Sequence, residues 1–117
     1  MDTNINNYIA RTRDMDWRPL TEEGINTGGI YVKVLRYDEV QQRPPSILLK
    51  FDPGARYPYH NHPAGEEIFV MKGRCQVNET LLEAGDYLYT PPNFKHAVRS
   101  DEGCELMLVI PEEVENS

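Results

Sequence analysis

Three histidines and one glutamate carry the chemistry this chain can do. His60 and His62 are two apart, Glu66 follows His62 by four, and His96 comes after Pro91-Pro92. On a β-strand, residues two apart share a face, about 7 Å from each other along the backbone, so two imidazoles can converge on one ion. On a helix the same spacing would send them to nearly opposite sides. Glu66 leads into the apolar run Ile68–Met71, and a carboxylate entering a buried strand needs a partner, for which a cation serves well. Three neutral imidazoles and one carboxylate suit Fe(II), Mn(II), Ni(II), Co(II) or Zn(II) and fit calcium poorly. Four protein donors on an octahedral ion leave two positions for water, substrate or dioxygen. Because the imidazoles must be neutral, binding should weaken as pH falls through about 6.

The elements that would position these groups read as strands. Candidates are residues 30–37, 46–51, 66–71, 74–77, 81–82, 86–90, 97–99 and 104–110, separated by Gly, Pro and Asn turns. Gly73 is read as closing a hairpin after Lys72, with residues 74–77 running back. No window shows a capped helical period, so an antiparallel sandwich or barrel is expected. Residues 1–16 form a polar N-terminal segment in which 7–12 is a candidate edge or exchanged strand. Trp17–Leu20 is an anchor, residues 17–111 the domain, and residues 112–117 an acidic tail expected to fray.

Composition excludes several function classes. The chain of 117 residues fits one domain. Its 12 basic and 19 acidic residues give a net charge of −7, unsuited to general binding of nucleic acid or anionic membranes. No apolar run approaches the roughly 20 residues of a membrane span. The first residues lack a signal-peptide pattern, so a cytoplasmic protein is expected, with Cys75 and Cys104 as reduced thiols.

Residues 54–73 (GARYPYHNHPAGEEIFVMKG) match the first cupin motif, G-x5-H-x-H-x3-E-x6-G, at every fixed position. Residues 85–100 (GDYLYTPPNFKHAVRS) resemble the second, G-x5-P-x-G-x2-H-x3-N, with Asn93 for glycine and Ser100 for asparagine. Asn tolerates the left-handed backbone a turn glycine supplies, and Ser100 touches no ligand. The resemblance implies an all-β double-stranded β-helix, the jelly-roll cupin barrel of RmlC-like proteins. It also implies a divalent metal held by His60, His62, Glu66 and His96. Periodicity does not choose between Glu66 and Glu67, since both faces of that strand are apolar; the motif spacing to Gly73 picks Glu66.

The frame around the motifs, Trp17–Leu20, Val34–Asp38, His62–Met71 and Gly103-Cys104, resembles the cupin domain of ChrR-type anti-sigma factors and its acetylacetone-type dioxygenase relatives. The anti-sigma factors carry a separate N-terminal zinc domain. Residues 1–16 hold no cysteine or histidine to form one. A dioxygenase-like enzyme acting on a small carbonyl or enol compound is therefore the first expectation, with Glu66 doubling as the catalytic base. A non-catalytic metal-containing ligand sensor or regulatory binding module is the alternative. Tyr57, Tyr59, Phe51, Phe69, Met71, Tyr87, Tyr89, Phe94 and Met107 are candidates for the barrel interior. Arg56 shares parity with His60 if no bulge intervenes, and there it would hold an anionic substrate. The expected partners are a small-molecule ligand and a second copy in a homodimer, associated through one sheet face.

Overall fold

The computed structural model describes residues 1–115. Among the described residues nine strands follow one another: β1 (Arg18–Pro19), β2 (Ile30–Asp38), β3 (Arg43–Phe51), β4 (Ala55–Asn61), β5 (Glu66–Val77), β6 (Thr80–Glu83), β7 (Tyr87–Thr90), β8 (Lys95–Ser100) and β9 (Cys104–Val109). All pairings are antiparallel. One sheet runs β1-β2-β3-β9-β5-β7 and a smaller one runs β4-β8-β5-β6. Strand β5 belongs to both and curls them into the expected jelly-roll barrel. Among the described residues, none of the helical turns is long and apolar enough to cross a membrane.

The period-2 pattern puts side chains in their places. In β8, His96, Val98 and Ser100 are buried while Lys95, Ala97 and Arg99 lean outward. In β5, Glu66, Ile68 and Val70 point inside and Glu67 and Phe69 outside. The core gathers Ile30, Ile47, Leu49, Phe51, Ile68, Val70, Val98, Leu106 and Leu108. The free thiols of Cys75 and Cys104 are buried there too.

Three expectations are corrected. Gly73 does not close a hairpin, because β5 passes straight through it. A Cβ on Gly73 (φ +74°) would lie 2.2 Å from the Gly103 carbonyl oxygen, so glycine permits the close approach of β9. The ladder slips between Val70 and Lys72, which bends β5 from the large sheet into the small one. Second, residues 7–12 form no edge strand within the chain. Ile5–Tyr8 and Thr12–Asp14 are 3-10 turns. The Asn4 side chain accepts from the Asn6 amide and Asp2 accepts from the Asn4 amide, local bonds that compete with a ladder. Third, the tail is not wholly frayed: Glu115 pairs with Asn61 through two backbone hydrogen bonds of 2.8 Å. The Trp17 anchor is observed, its ring under the ammonium groups of Lys33 (4.6 Å) and Lys50 (5.2 Å).

Candidate metal centre

Each of the four donors sits at a strand end. His60 is the penultimate residue of β4 and stands opposite His96 of β8, a direct cross-strand pair. His62 lies one residue beyond β4, and Glu66 opens β5. The turn between them is held by Gly65 N–H donating to the His62 carbonyl (3.0 Å), and Asn93 N–H donates to the same oxygen (2.9 Å). Asn93 has φ +67°, the left-handed backbone of the glycine it replaces. Gly65 has φ +81°, and a Cβ there would press within 2.7 Å of the Thr90 carbonyl. It occupies a free position of the motif, and its requirement became visible only when the two motifs were packed together.

The four side chains are all but inaccessible, from 0% exposure at His96 to 4% at His60. One donor atom from each lies within 4.8 Å of the others. His60 Nε2 is 2.7 Å from His62 Nε2, His62 Nε2 is 3.1 Å from Glu66 Oε2, and His96 Nε2 is 2.9 Å from Glu66 Oε1. Nδ1–H of His60 donates to the Pro58 carbonyl at 2.7 Å, so its Nε2 presents a bare lone pair. A second imidazole nitrogen 2.7 Å away repels it unless a proton or cation lies between. His96 Nε2 and Glu66 Oε1, although close, are not aligned as a hydrogen bond and remain buried without one. Four buried donors that crowd a common point, with His60 and His62 able to share one proton and His96 Nε2 and Glu66 Oε1 left unbonded, form a group that could hold an ion.

Electrostatics agree. Burial drives His60 down to about 4, although its bond to the Pro58 carbonyl works the other way, so the ring is neutral at pH 7. Burial also pulls the Glu66 carboxyl up, but the adjoining imidazoles of His62 and His96 outweigh it and leave the group below the usual carboxylate range. Glu67, on the outer face, accepts from the Tyr87 hydroxyl at 2.6 Å.

Beside the donors lies a cavity of about 60 Å³, walled by Leu49, Ile68, Leu106, Leu108 and Tyr57. The Tyr57 ring stands edge-on to His60, with centroids 4.6 Å apart. Leu20, Glu22 and Val114 close the cavity from the two ends of the chain, and the Tyr57 hydroxyl donates to Glu22 Oε2. These three escaped sequence reasoning because nothing local marks a residue brought in from the far end of a chain.

Of the interior candidates, only Phe51 and Tyr57 are buried. Tyr59, Phe69, Met71, Tyr87, Tyr89, Phe94 and Met107 are 36–58% exposed, so aliphatic side chains build the wall instead. Arg56 is outside as well. The β4–β8 register slips between Tyr57 and His60, so one extra residue on β4 breaks the parity and turns both Tyr57 and His60 inward.

Comparison with known proteins places this arrangement. The chain is 32% identical over 75 residues to the DNA damage-repair/toleration protein DRT102 of Arabidopsis thaliana, covering 59% of this chain and 24% of that one. It thus spans about a quarter of that relative's length. Among solved structures it superposes on a candidate acetylacetone dioxygenase of Methylibium petroleiphilum (TM-score 0.80, 20% identity, 97% of this chain and 83% of that chain). It also superposes on an acetylacetone dioxygenase of Acinetobacter johnsonii (0.70, 17%, 84% and 69%) and a polyketide cyclase of Streptomyces resistomycificus (0.71, 18%, 92% and 82%). At such identities the likeness is one of fold. The ChrR cupin-like domain profile matches residues 6–114, nearly the whole chain, and the chain belongs to that cupin family.

Proposed function

We propose that this cupin binds a divalent metal through His60, His62, Glu66 and His96 and is a dioxygenase-like enzyme acting on a small carbonyl or enol compound. The observation that carries the proposal is the convergence of four buried donors at one end of an apolar cavity. The acetylacetone dioxygenases among its fold relatives support the substrate class. A bound ion supplies Lewis-acid polarisation of a substrate oxygen and electrons toward dioxygen.

The chain's own residues do the rest. Leu49, Ile68, Leu106 and Leu108 exclude water and hold the apolar part of a substrate. The hydroxyl of Tyr57, oriented by Glu22, offers a polar contact inside that wall. Glu66 Oε1, buried without a hydrogen bond, is the atom placed to take a proton from the carbon beside a carbonyl. The same reading includes a homodimer. Tyr87, Phe69 and Met107 are cross-strand neighbours in one outward row of the large sheet, each at least 36% exposed.

The test is oxygen uptake by protein loaded anaerobically with Fe(II), screened against β-diketones, flavonols and hydroxyketones. Substrate-dependent uptake that His96→Ala abolishes supports the enzyme. The second reading, a ligand sensor, is favoured by the enclosure of the small cavity under Leu20, Glu22 and Val114. It gains support if no metal yields uptake while one compound binds tightly and saturably.

A further inference from the structure

The outer face of the small sheet, on the far side of the barrel wall from the metal centre, carries a groove of about 850 Å³. Its floor holds Arg56 of β4 directly opposite Arg99 of β8, and Arg99 in turn opposite Gln76 of β5. Directly opposed side chains on a sheet start about 5 Å apart, and like charges so placed repel. In a chain with 19 acidic residues this pair has little acidic compensation. Its nearest carboxylate contact is Asp101 Oδ1, 3.9 Å from Arg99 Nε and too far for a hydrogen bond. Arg99 Nε is itself buried without a hydrogen-bond partner. Arg74, on the same face two residues from Gln76, shows the usual alternative, since Glu83 and Glu102 flank its Nε at 4.0 Å each.

The walls add donors. Asn26 Oδ1 accepts from Gly28 N–H (2.9 Å) and Asn78 Oδ1 accepts from Ala97 N–H (3.1 Å). Each amide oxygen is thus occupied by backbone, and each NH2 remains available. Two guanidinium groups, two amide NH2 groups and Gln76 line one concavity, and Glu79 at its rim is the one acid among the lining residues. A surface rich in donors and poor in acceptors matches an oxyanion, which a guanidinium fork binds through paired N–H bonds.

We propose that this groove is a second binding site, in which Arg56 and Arg99 together hold the carboxylate or phosphate group of a small anionic molecule. The strands forming its floor are those that carry His60 and His96 on their other face.

The experiment is a titration of the isotope-labelled full chain with inorganic phosphate and, separately, with succinate, at about 150 mM salt to screen diffuse attraction. Backbone and arginine side-chain resonances are followed by NMR. Saturable shifts should centre on residues 55–57 and 97–99. Arg56→Gln and Arg99→Gln should each weaken binding about tenfold or more, while Arg74→Gln changes it by less than about twofold. Glu79→Gln should tighten it. Saturation by phosphate but not succinate assigns a phosphate group, and the reverse a carboxylate. The proposal is overturned if neither anion gives saturable shifts. Shifts centred on His60 and His96, or an Arg74→Gln loss equal to that of Arg99→Gln, overturn it as well. Variant spectra otherwise matching the parent separate lost binding from lost folding.

Discussion

Acid should weaken the metal-free protein through His60, in a pH window set by the burial of that ring. The folded-state value is about 4 and the ordinary value 6.5. Between these limits the unfolded chain binds the proton and the folded chain does not, so stability rises with pH and is lost as pH falls. At about 1.36 kcal/mol per pH unit the full gap is worth about 3 kcal/mol, of which about 2 kcal/mol is lost between pH 7 and pH 4.5. Near 4 °C per kcal/mol for a domain of this size, the melting temperature should drop by roughly 10 °C. The Glu66 carboxyl, also held low, acts in the same direction but only below its own ordinary value of 4.5, so the two contributions separate. The assay is denaturant unfolding of chelator-treated protein at pH 7 and pH 4.5, beside His60→Gln. The parent should lose about 2 kcal/mol more than the variant. Equal losses in the two proteins would refute a buried neutral His60. The result also bears on metal retention, since His60 itself does not compete for protons until well below pH 6.

Elemental analysis should find about one divalent ion per chain in the parent and little in His60→Ala/His62→Ala; saturating metal at 100-fold its dissociation constant should stabilise only the parent, by about 2.7 kcal/mol. Gly73→Ala should cost at least about 2 kcal/mol, read from the denaturant midpoint, because it combines a left-handed backbone with a clash against the Gly103 carbonyl. Deleting residues 112–117 should open the cavity beneath Val114, seen as faster loading of a fluorescent diketone at a modest cost in melting temperature. Light scattering at micromolar concentration should report a dimer, which Phe69→Lys converts to monomer by placing a charge in the exposed apolar row.

What was legible in the sequence was what local spacing encodes. His60, His62, Glu66 and His96 meet because strand parity and two turns bring them together, and each turn carries its signature in glycine, proline or asparagine. The left-handed Asn93 was readable from the resemblance, since it stands where the second cupin motif has glycine, and Glu66 was chosen over Glu67 by the same means. Gly73 was misread because a glycine that permits a close crossing looks, in one dimension, like a glycine that makes a turn. The aromatic residues were misplaced because apolar character does not say which side of a two-faced strand is inside; Phe69 and Ile68 are equally apolar and face opposite ways. Arg56 followed parity until a single extra residue on β4 reversed it. Glu22 and Val114 reach the cavity only through contacts spanning much of the chain, for which no periodicity exists.

The clasp between Asn61 and Glu115 gives the molecule a mechanical handle. Asn61 stands between His60 and His62, and its side-chain amide also donates to Glu115 Oε1 at 2.6 Å. A load applied to the last residues is therefore delivered to the backbone that aims two imidazoles. A bulky fusion attached after Ser117 would tug on the metal centre, whereas one ahead of Met1 would pull on 3-10 turns moored to β2 by the Lys33 ammonium, whose Nζ donates to the Thr12 carbonyl. Affinity tags and fluorescent reporters belong at the N-terminal end if metal content is to be measured, and at the C-terminal end if the aim is to sense strain at the ligands.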